Sequence, residues 1–234
     1  MDMGRLVNEK RIIKKLKPEN AGNLLVFCEG NTEYNYLNFF KDYLEKRLSV
    51  PYSNMVIEPI NTSGNAMHVY RYAEDFLNID VNRRKYALYE KHLVFDCDAP
   101  VNIQDVIDLM INSDNEYILD YSNLLFETWL LMHFQRIDIH DIVDKRSIIN
   151  QIRNHLDVLE YNSKVKASKG MIAKILGNDG NAKVRNAIEN AKHLEEFWKK
   201  EKYKMEHDIK KMNPSVMIYE LIERLLDEID YFCN

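Results

Sequence analysis

Two hydrophobic patterns alternate along residues 23–140. Short continuous apolar runs predict strands that are buried on both faces. Apolar residues at helical spacing between these runs predict amphipathic helices. The predicted strands are residues 23–28, 55–60, 92–95 and 117–119, and the predicted helices are about 36–48, 69–77, 103–112 and 124–134. Because strands and helices alternate at crossover spacing, we predict an α/β fold with a mostly parallel four-stranded sheet flanked by helices.

The pattern changes beyond about residue 140, where helical spacing continues without strand-like runs. The last apolar run, 216–229, is strongly amphipathic, and Pro214 and Ser215 precede it as helix starters. Residues 164–180 combine glycines with basic residues, which favours a flexible insertion. The predicted organisation is a basic N-terminal segment (1–22), an α/β domain (23–140) and a helical C-terminal region packed on it (141–234).

Composition and charge exclude several classes of protein. The chain has 234 residues, of which 46% are hydrophobic and 29% charged, as in ordinary globular proteins. No apolar run approaches the roughly 20 residues of a membrane helix, and the N-terminus lacks a secretory signal, so we expect a cytoplasmic protein. With a net charge of −5, the chain as a whole does not attract nucleic acid, although a local basic stripe would suffice.

Acidic residues stand at the ends of two predicted strands. Glu29 follows the first strand, Asp96 ends the third, and Asp98 points to the same side as Asp96 in extended geometry. Ligands of open parallel sheets bind beyond the carboxyl ends of the strands. If the two strands are neighbours, three carboxylates converge, and their repulsion favours a hard cation such as Mg²⁺. The alternative is that these acids only cap the helices that follow.

Other polar residues are weaker candidates. Glu33 lies one helical turn beyond Glu29, where it either faces the site or closes a capping box. A second metal would need further acids, and Glu33 and Glu127 are available for it. His133 lies in an apolar helix and is expected to be a hydrogen-bonded core residue, and Trp129 is likewise expected in the core. We see no acidic partner near His92 in the sequence.

Four segments carry a family resemblance. A strand ending in Glu-Gly and a later strand ending in Asp-x-Asp resemble the Toprim domain of topoisomerases, primases and related nucleases. More closely, the motifs resemble those of the RloB-like family, except that Leu124 stands where that family usually has proline. The segments are LLVFCEGNTEYNYL (24–37), HLVFDCD (92–98), SNLLFETWLLMHF (122–134) and NPSVMIYELIERL (213–225).

The resemblance implies phosphodiester chemistry that depends on Mg²⁺ or Mn²⁺. It implies that Asp96 and Asp98 hold the metal and that Glu29 is the general acid/base or a further ligand. A lysine-bearing segment of the family falls on the loop of Lys164, Lys166 and Lys169, without selecting one of them. The expected function is a nuclease effector of a prokaryotic antiviral defence system that acts with a partner ATPase. This chain has no phosphate-binding loop of the Gly-x-x-x-x-Gly-Lys-Ser/Thr type, so the ATPase would be a separate protein.

Two rival functions stay open. One is a non-catalytic Toprim-like module that docks on an ATPase and regulates it. The other is a primase-like nucleotidyl transferase. The sequence leaves open whether the nucleic acid is DNA or RNA, and whether the chain forms a homo-oligomer.

Overall fold

The centre of the fold is a five-stranded sheet with the strand order β2-β1-β3-β4-β5. The first four strands pair in parallel, and β5 joins β4 antiparallel. The mostly parallel α/β sheet is therefore confirmed, with one strand more than predicted. The strands are β1 (Leu24–Cys28), β2 (Ile57–Asn61), β3 (Glu90–Asp96), β4 (Ile118–Asn123) and β5 (Ser215–Val216). The computed structural model describes residues 23–47, 56–97, 103–140, 144–166, 168–176 and 180–233.

Helices flank the sheet and form most of the region after residue 140. The helices that follow the first three strands carry the crossovers that parallel pairing requires. They are α1 (Asn31–Arg47), α2 (Ala66–Asn78), α3 (Asp80–Lys85), α4 (Ile103–Ile111), α5 (Phe126–Met132), α6 (Lys145–Leu156), α7 (Ser163–Lys166), α8 (Lys169–Leu176), α9 (Gly180–Lys200), α10 (Met205–Asp208) and α11 (Ile218–Cys233). In the described ranges, none of these helices has the length and apolar character needed to cross a membrane.

Strand β1 lies at the middle of the core, and all five of its residues are fully buried. On one face of the sheet, the Phe27 ring packs edge-on against Tyr72 and Phe76 of α2. Elsewhere in the core, α1 meets α5 through Tyr36 and Trp129, whose ring centroids are 6.2 Å apart. The continuous apolar run of β1 is thus explained by burial on both sides.

The described part of the segment 164–180 is not the flexible insertion that its glycines suggested. It contains α7 and α8, and α8 buries four apolar side chains. These four residues occur in two pairs one helical turn apart, which is a helical apolar stripe. They are Met171, Ile172, Ile175 and Leu176.

Two boundaries differ from the sequence prediction because polar residues occupy buried positions. Strand β4 runs on to Asn123 rather than stopping at residue 119, and Ser215 lies in β5 rather than starting a helix. Asn123 is buried and its side-chain amide donates to the carbonyls of Ile209 (2.7 Å) and Met212 (3.0 Å). The Asn123–Leu124 peptide bond, at the position where proline is usual in the resembling family, is cis.

Asn123→Ala is expected to destabilise the protein by about 2–3 kcal/mol, because it leaves two carbonyls without their buried donor. Urea unfolding followed by circular dichroism measures this change. Asn154→Ala on the exposed face of α6 is the matched control, and we expect it to change the free energy of unfolding by less than about 0.5 kcal/mol. Equal effects of the two substitutions would contradict the anchoring role of Asn123.

Candidate active site

Glu29 and Asp96 meet at the carboxyl edge of the sheet. Strands β1 and β3 are neighbours in parallel register, with Cys28 opposite Val94. The Glu29 backbone N–H donates to the Val94 carbonyl (3.0 Å), and the Asp96 backbone N–H donates to Glu29 Oε2 (3.0 Å). Both side chains are partly exposed. The structure therefore brings these two predicted site residues together in direct contact.

The Asp96 carboxylate has a structural partner as well. Its Oδ1 accepts a hydrogen bond of 2.7 Å from the backbone N–H of Phe126, the first residue of α5. The residue before α5, Leu125, supplies no side-chain cap. Asp96 therefore caps a helix, as the capping alternative required, but it caps the helix that follows β4 rather than the next one along the chain. Capping leaves a carboxylate with a second oxygen, so it does not by itself exclude metal binding.

The chemistry of the donor set fits Mg²⁺ or Mn²⁺ only in part. Glu29 and Asp96 offer hard carboxylate oxygens at one edge of the sheet, as these ions prefer. Asp98, the other predicted ligand, lies outside the described residues. Among the residues that the structure describes, no three His, Cys, Asp or Glu side chains are grouped to hold an ion. Of the described residues, Asp96 would hold a cation here and Glu29 would be a further ligand or the acid/base beside it, with water and a substrate phosphate among the other ligands.

Glu33 lies buried beside this edge, in the first turn of α1. Its carboxylate lies over Gly30, where an added Cβ would be 3.2 Å from Glu33 Oε2, so the glycine leaves room for it. Burial raises the pKa of Glu33 to about 8, and the negative charges of Glu127 and Glu29 add to the effect. At neutral pH this carboxyl group is therefore mostly protonated, unlike an ordinary surface glutamate.

Glu127, in the first turn of α5, is buried and compensated by two groups from one segment. Its Oε1 accepts hydrogen bonds from Lys166 Nζ (2.7 Å) and from the Tyr161 hydroxyl (3.1 Å). The Lys166 ammonium also lies 5.2 Å from the centroid of the Tyr161 ring. Of the three lysines in the predicted loop, Lys166 is thus the one that reaches the acids, whereas Lys164 and Lys169 are exposed.

Tyr161 is a site residue that sequence reasoning missed. Burial raises its pKa, and the charges of Glu127, Glu33 and Asp96 raise it further, which places the phenol among the acids. The only sequence signal is its position five residues before Lys166. This spacing has no meaning until the structure shows that both side chains contact Glu127. The site therefore joins the sheet edge, α1, α5 and the segment 161–166.

Two histidines have opposite outcomes. His133 Nδ1 donates to the Trp129 carbonyl (3.0 Å), so Nε2 must accept from the Tyr36 hydroxyl (2.9 Å). Burial lowers the pKa of His133 to about 4, and the predicted core role is confirmed. The prediction that His92 has no acidic partner near it in the sequence is wrong, because Glu90, two residues before it, lies 3.1 Å from Nε2. A second acid that is remote in sequence, Asp120 of the neighbouring strand, lies 2.5 Å from Nδ1.

Glu33→Gln is expected to stabilise the protein at alkaline pH. The folded-state pKa of Glu33 is raised from 4.5 to about 8, so its contribution to stability is complete below about pH 4.5 and is lost as the pH rises through 8. The variant, which has no proton to lose, should be more stable than the wild type by about 2–4 kcal/mol at pH 8.5 and nearly equal at pH 4.5. Thermal and urea unfolding across this range measure the difference.

Glu196→Gln, on the exposed face of α9, is the matched control and should show no such pH-dependent gain. A Glu33→Gln variant whose stability runs parallel to that of the wild type from pH 4.5 to 8.5 would contradict the raised pKa.

Comparisons with known proteins assign this chain to a family. Neither the curated proteins nor the solved structures include a significant match. A family model described as RloB-like protein matches residues 24–225. This match runs from β1 into α11 and includes Glu29, Asp96, Glu127 and Lys166. Because it covers most of the chain, the protein belongs to the RloB-like family.

Proposed function

We propose that this protein is a Toprim-type nuclease that depends on Mg²⁺ or Mn²⁺ and cleaves phosphodiester bonds. The observation that carries the proposal is the direct contact between Glu29 and Asp96 at the carboxyl ends of two adjacent parallel strands. In open α/β sheets this edge is where ligands bind. Two partly exposed carboxylates there suit a cation more than an anionic ligand.

The residues around this pair have distinct roles in the proposal. Glu29 handles the proton of the attacking water or of the leaving group, and Asp96 binds the metal. When bound, the metal would neutralise charge on the phosphate and lower the pKa of a bound water. Lys166, which pairs with Glu127, brings a positive charge to the site and favours a phosphate there. Glu127 and Tyr161 orient the Lys166 ammonium through contacts with it.

Glu33 completes the arrangement as a carboxyl group that is mostly protonated near neutral pH. A protonated carboxyl group can donate a hydrogen bond to a phosphate oxygen without adding to the negative charge of the site. Because the site already holds Glu29, Asp96 and Glu127, a further negative charge would repel the substrate. This is why burial of Glu33 is compatible with an anionic substrate.

The biological setting is part of the same proposal. We place the protein in the cytoplasm, as the effector of an antiviral defence system, with an ATPase supplied by a separate chain. The substrate is DNA or RNA. These statements rest on the family resemblance, while the acid pair at the sheet edge supports the chemistry.

A non-catalytic, regulatory Toprim-like module is the second candidate. It is favoured by the hydrogen bonding of the two acids at the sheet edge. The hydrogen bonds of Glu29 and Asp96 to backbone N–H groups give both acids a structural role that requires no catalysis. In this alternative the edge would serve to dock a partner.

The deciding experiment incubates the purified protein with panels of DNA and RNA in Mg²⁺ or Mn²⁺. Glu29→Gln and Asp96→Asn keep an oxygen acceptor for the backbone hydrogen bonds but lose the negative charge. Both should lower the cleavage rate by at least about 100-fold, while melting temperatures change little. Glu196→Gln is the surface control and should cleave as the wild type does.

Cleavage that survives both substitutions would refute the proposed mechanism. No cleavage of any substrate, with or without the partner ATPase, would favour the regulatory module. Consumption of nucleoside triphosphates with extension of a strand would identify the nucleotidyl transferase instead.

Lys166→Met tests the choice among the three lysines. The substitution keeps the length of the side chain but removes the ammonium that contacts Glu127, so cleavage should fall by at least about tenfold. Lys164→Met and Lys169→Met change exposed lysines of the same segment and should leave the rate within about twofold. Equal losses in all three variants would indicate a diffuse electrostatic attraction rather than a placed cation.

A further inference from the structure

A second buried ionic cluster lies away from the acidic edge, in the middle of β3 and β4. His92 is buried, and its Nδ1 lies 2.5 Å from Asp120 Oδ2 while its Nε2 lies 3.1 Å from Glu90 Oε1. All three side chains point to the same face of the sheet, because β3 and β4 pair with His92 opposite Ile118. The imidazole ring thus has a carboxylate oxygen on each of its nitrogens.

Arg224 connects this cluster to the last helix. From α11, its Nη1 donates to the same Glu90 Oε1 at 2.7 Å. The helix covers this face of the sheet with fully buried residues such as Ile222 and Leu225. A continuous chain of contacts therefore runs from Asp120 on β4, through His92 and Glu90 on β3, to Arg224.

The geometry favours a proton on each ring nitrogen, because each nitrogen faces a carboxyl oxygen. A neutral imidazole has a single N–H group and could donate to only one of the two carboxylates. Asp120 is 1% exposed, and its Oδ1 has no hydrogen-bond partner in the part of the chain that the structure describes. Because a buried carboxylate without a compensating charge is costly, an imidazolium ring is the arrangement that satisfies both acids.

The surroundings of His92 favour its charged form. Burial lowers the pKa of His92, but the negative charge of Asp120 and the hydrogen bonds to Asp120 and Glu90 outweigh burial and raise it. On the neighbouring β1, the lateral partner of His92 is the apolar Val26, and Cys28 is the titratable group on the same face. Among the side chains that the structure describes, the charged or titratable groups around the ring are Glu90 on its own strand, Asp120 on β4, Cys28 on β1 and Arg224 on α11.

We propose that His92 is a pH-sensitive latch, which holds α11 on the sheet as a buried imidazolium and releases it when the ring loses its proton. With the ring charged, two cations balance two carboxylates. With the ring neutral, one negative charge is left uncompensated beneath α11. Water can solvate that charge only if α11 moves away from the sheet, so loss of the proton opens this part of the fold.

The direction of the pH effect follows from the raised pKa. The stabilisation is complete below the ordinary histidine pKa of about 6.5 and is lost as the pH rises through the higher folded-state value. Within this window the equilibrium constant for opening rises by up to about tenfold per pH unit. The latch is independent of the proposed nuclease activity, because none of its residues belongs to the acidic edge.

The first test needs no mutation. Nitrogen NMR of the His92 ring in the wild-type protein should show an imidazolium that titrates with a midpoint above 6.5. Protection of α11 amides against hydrogen exchange, corrected for intrinsic rates, should fall at least about tenfold between pH 6.5 and 9.0. Helix α2, on the opposite face of the sheet, is the internal control and should keep its protection. A midpoint at or below 6.5, or α11 protection that does not change, would overturn the proposal.

Two substitutions then separate the latch from ordinary packing. His92→Gln removes the charge and should abolish the pH dependence of α11 protection. Arg224→Met acts from the helix side and should lower α11 protection at pH 6.5 without changing the imidazolium signal qualitatively. His155→Gln, at an exposed histidine on α6, should leave both readouts as in the wild type. A His92→Gln protein that keeps the wild-type pH dependence would exclude His92 as the latch.

Discussion

The carboxylate of Glu29 and the backbone of Asp96 form the contact on which the candidate site depends. Glu29 Oε2 accepts from the Asp96 N–H, and Asp96 Oδ1 in turn accepts from the Phe126 N–H. This series of two hydrogen bonds fixes the end of β1 against the end of β3, and the end of β3 against the start of α5. Hydrogen bonds to charged acceptors contribute about 1.5–3 kcal/mol each to the free energy of unfolding. The two acids therefore stabilise the sheet edge at which we propose that they act. Replacing either acid by its amide keeps the hydrogen-bond acceptor and removes the negative charge. The effect of the charge on catalysis can therefore be measured separately from its effect on folding.

The sequence predicted the parts of the fold whose signals are local. The apolar run of β1 and the acids that follow β1 and β3 need only a few neighbouring residues to be recognised, and the structure places Glu29 and Asp96 as expected. The polar end of β4 was missed because its partners are remote in sequence. Asp120 binds His92, and Asn123 binds carbonyls that lie more than 80 residues away. A local pattern cannot distinguish a polar residue in a turn from one that is buried with a distant partner.

The same limit applies to the site. Glu33 is one turn from Glu29, and its position beside the edge was one of two predicted outcomes. Lys166 and Tyr161 reach Glu127 from more than 30 residues further along the chain, and Lys166 lies in the segment 164–180 that was expected to be a flexible insertion. Its glycines outweighed the apolar stripe of α8, although that stripe anchors the segment in the core. Tertiary packing, not local preference, determines which of the three lysines meets the acids.

The distribution of charge also explains why the two halves of the chain depend on each other. The α/β half supplies the buried acids: Glu33 and Glu127 at the site, and Glu90 and Asp120 in the sheet. Cys28 lies between the two groups of acids. Burial raises the pKa of its thiol, and the negative charges of Glu33 at the site and Asp120 in the sheet raise that pKa further. The region after residue 140 contributes Lys166 to the first group and Arg224 to the second. Removing that region would expose apolar surface and would also leave buried carboxylates without these cations, which is strongly destabilising. The C-terminal helices are therefore an electrostatic part of the α/β core rather than an appendage to it.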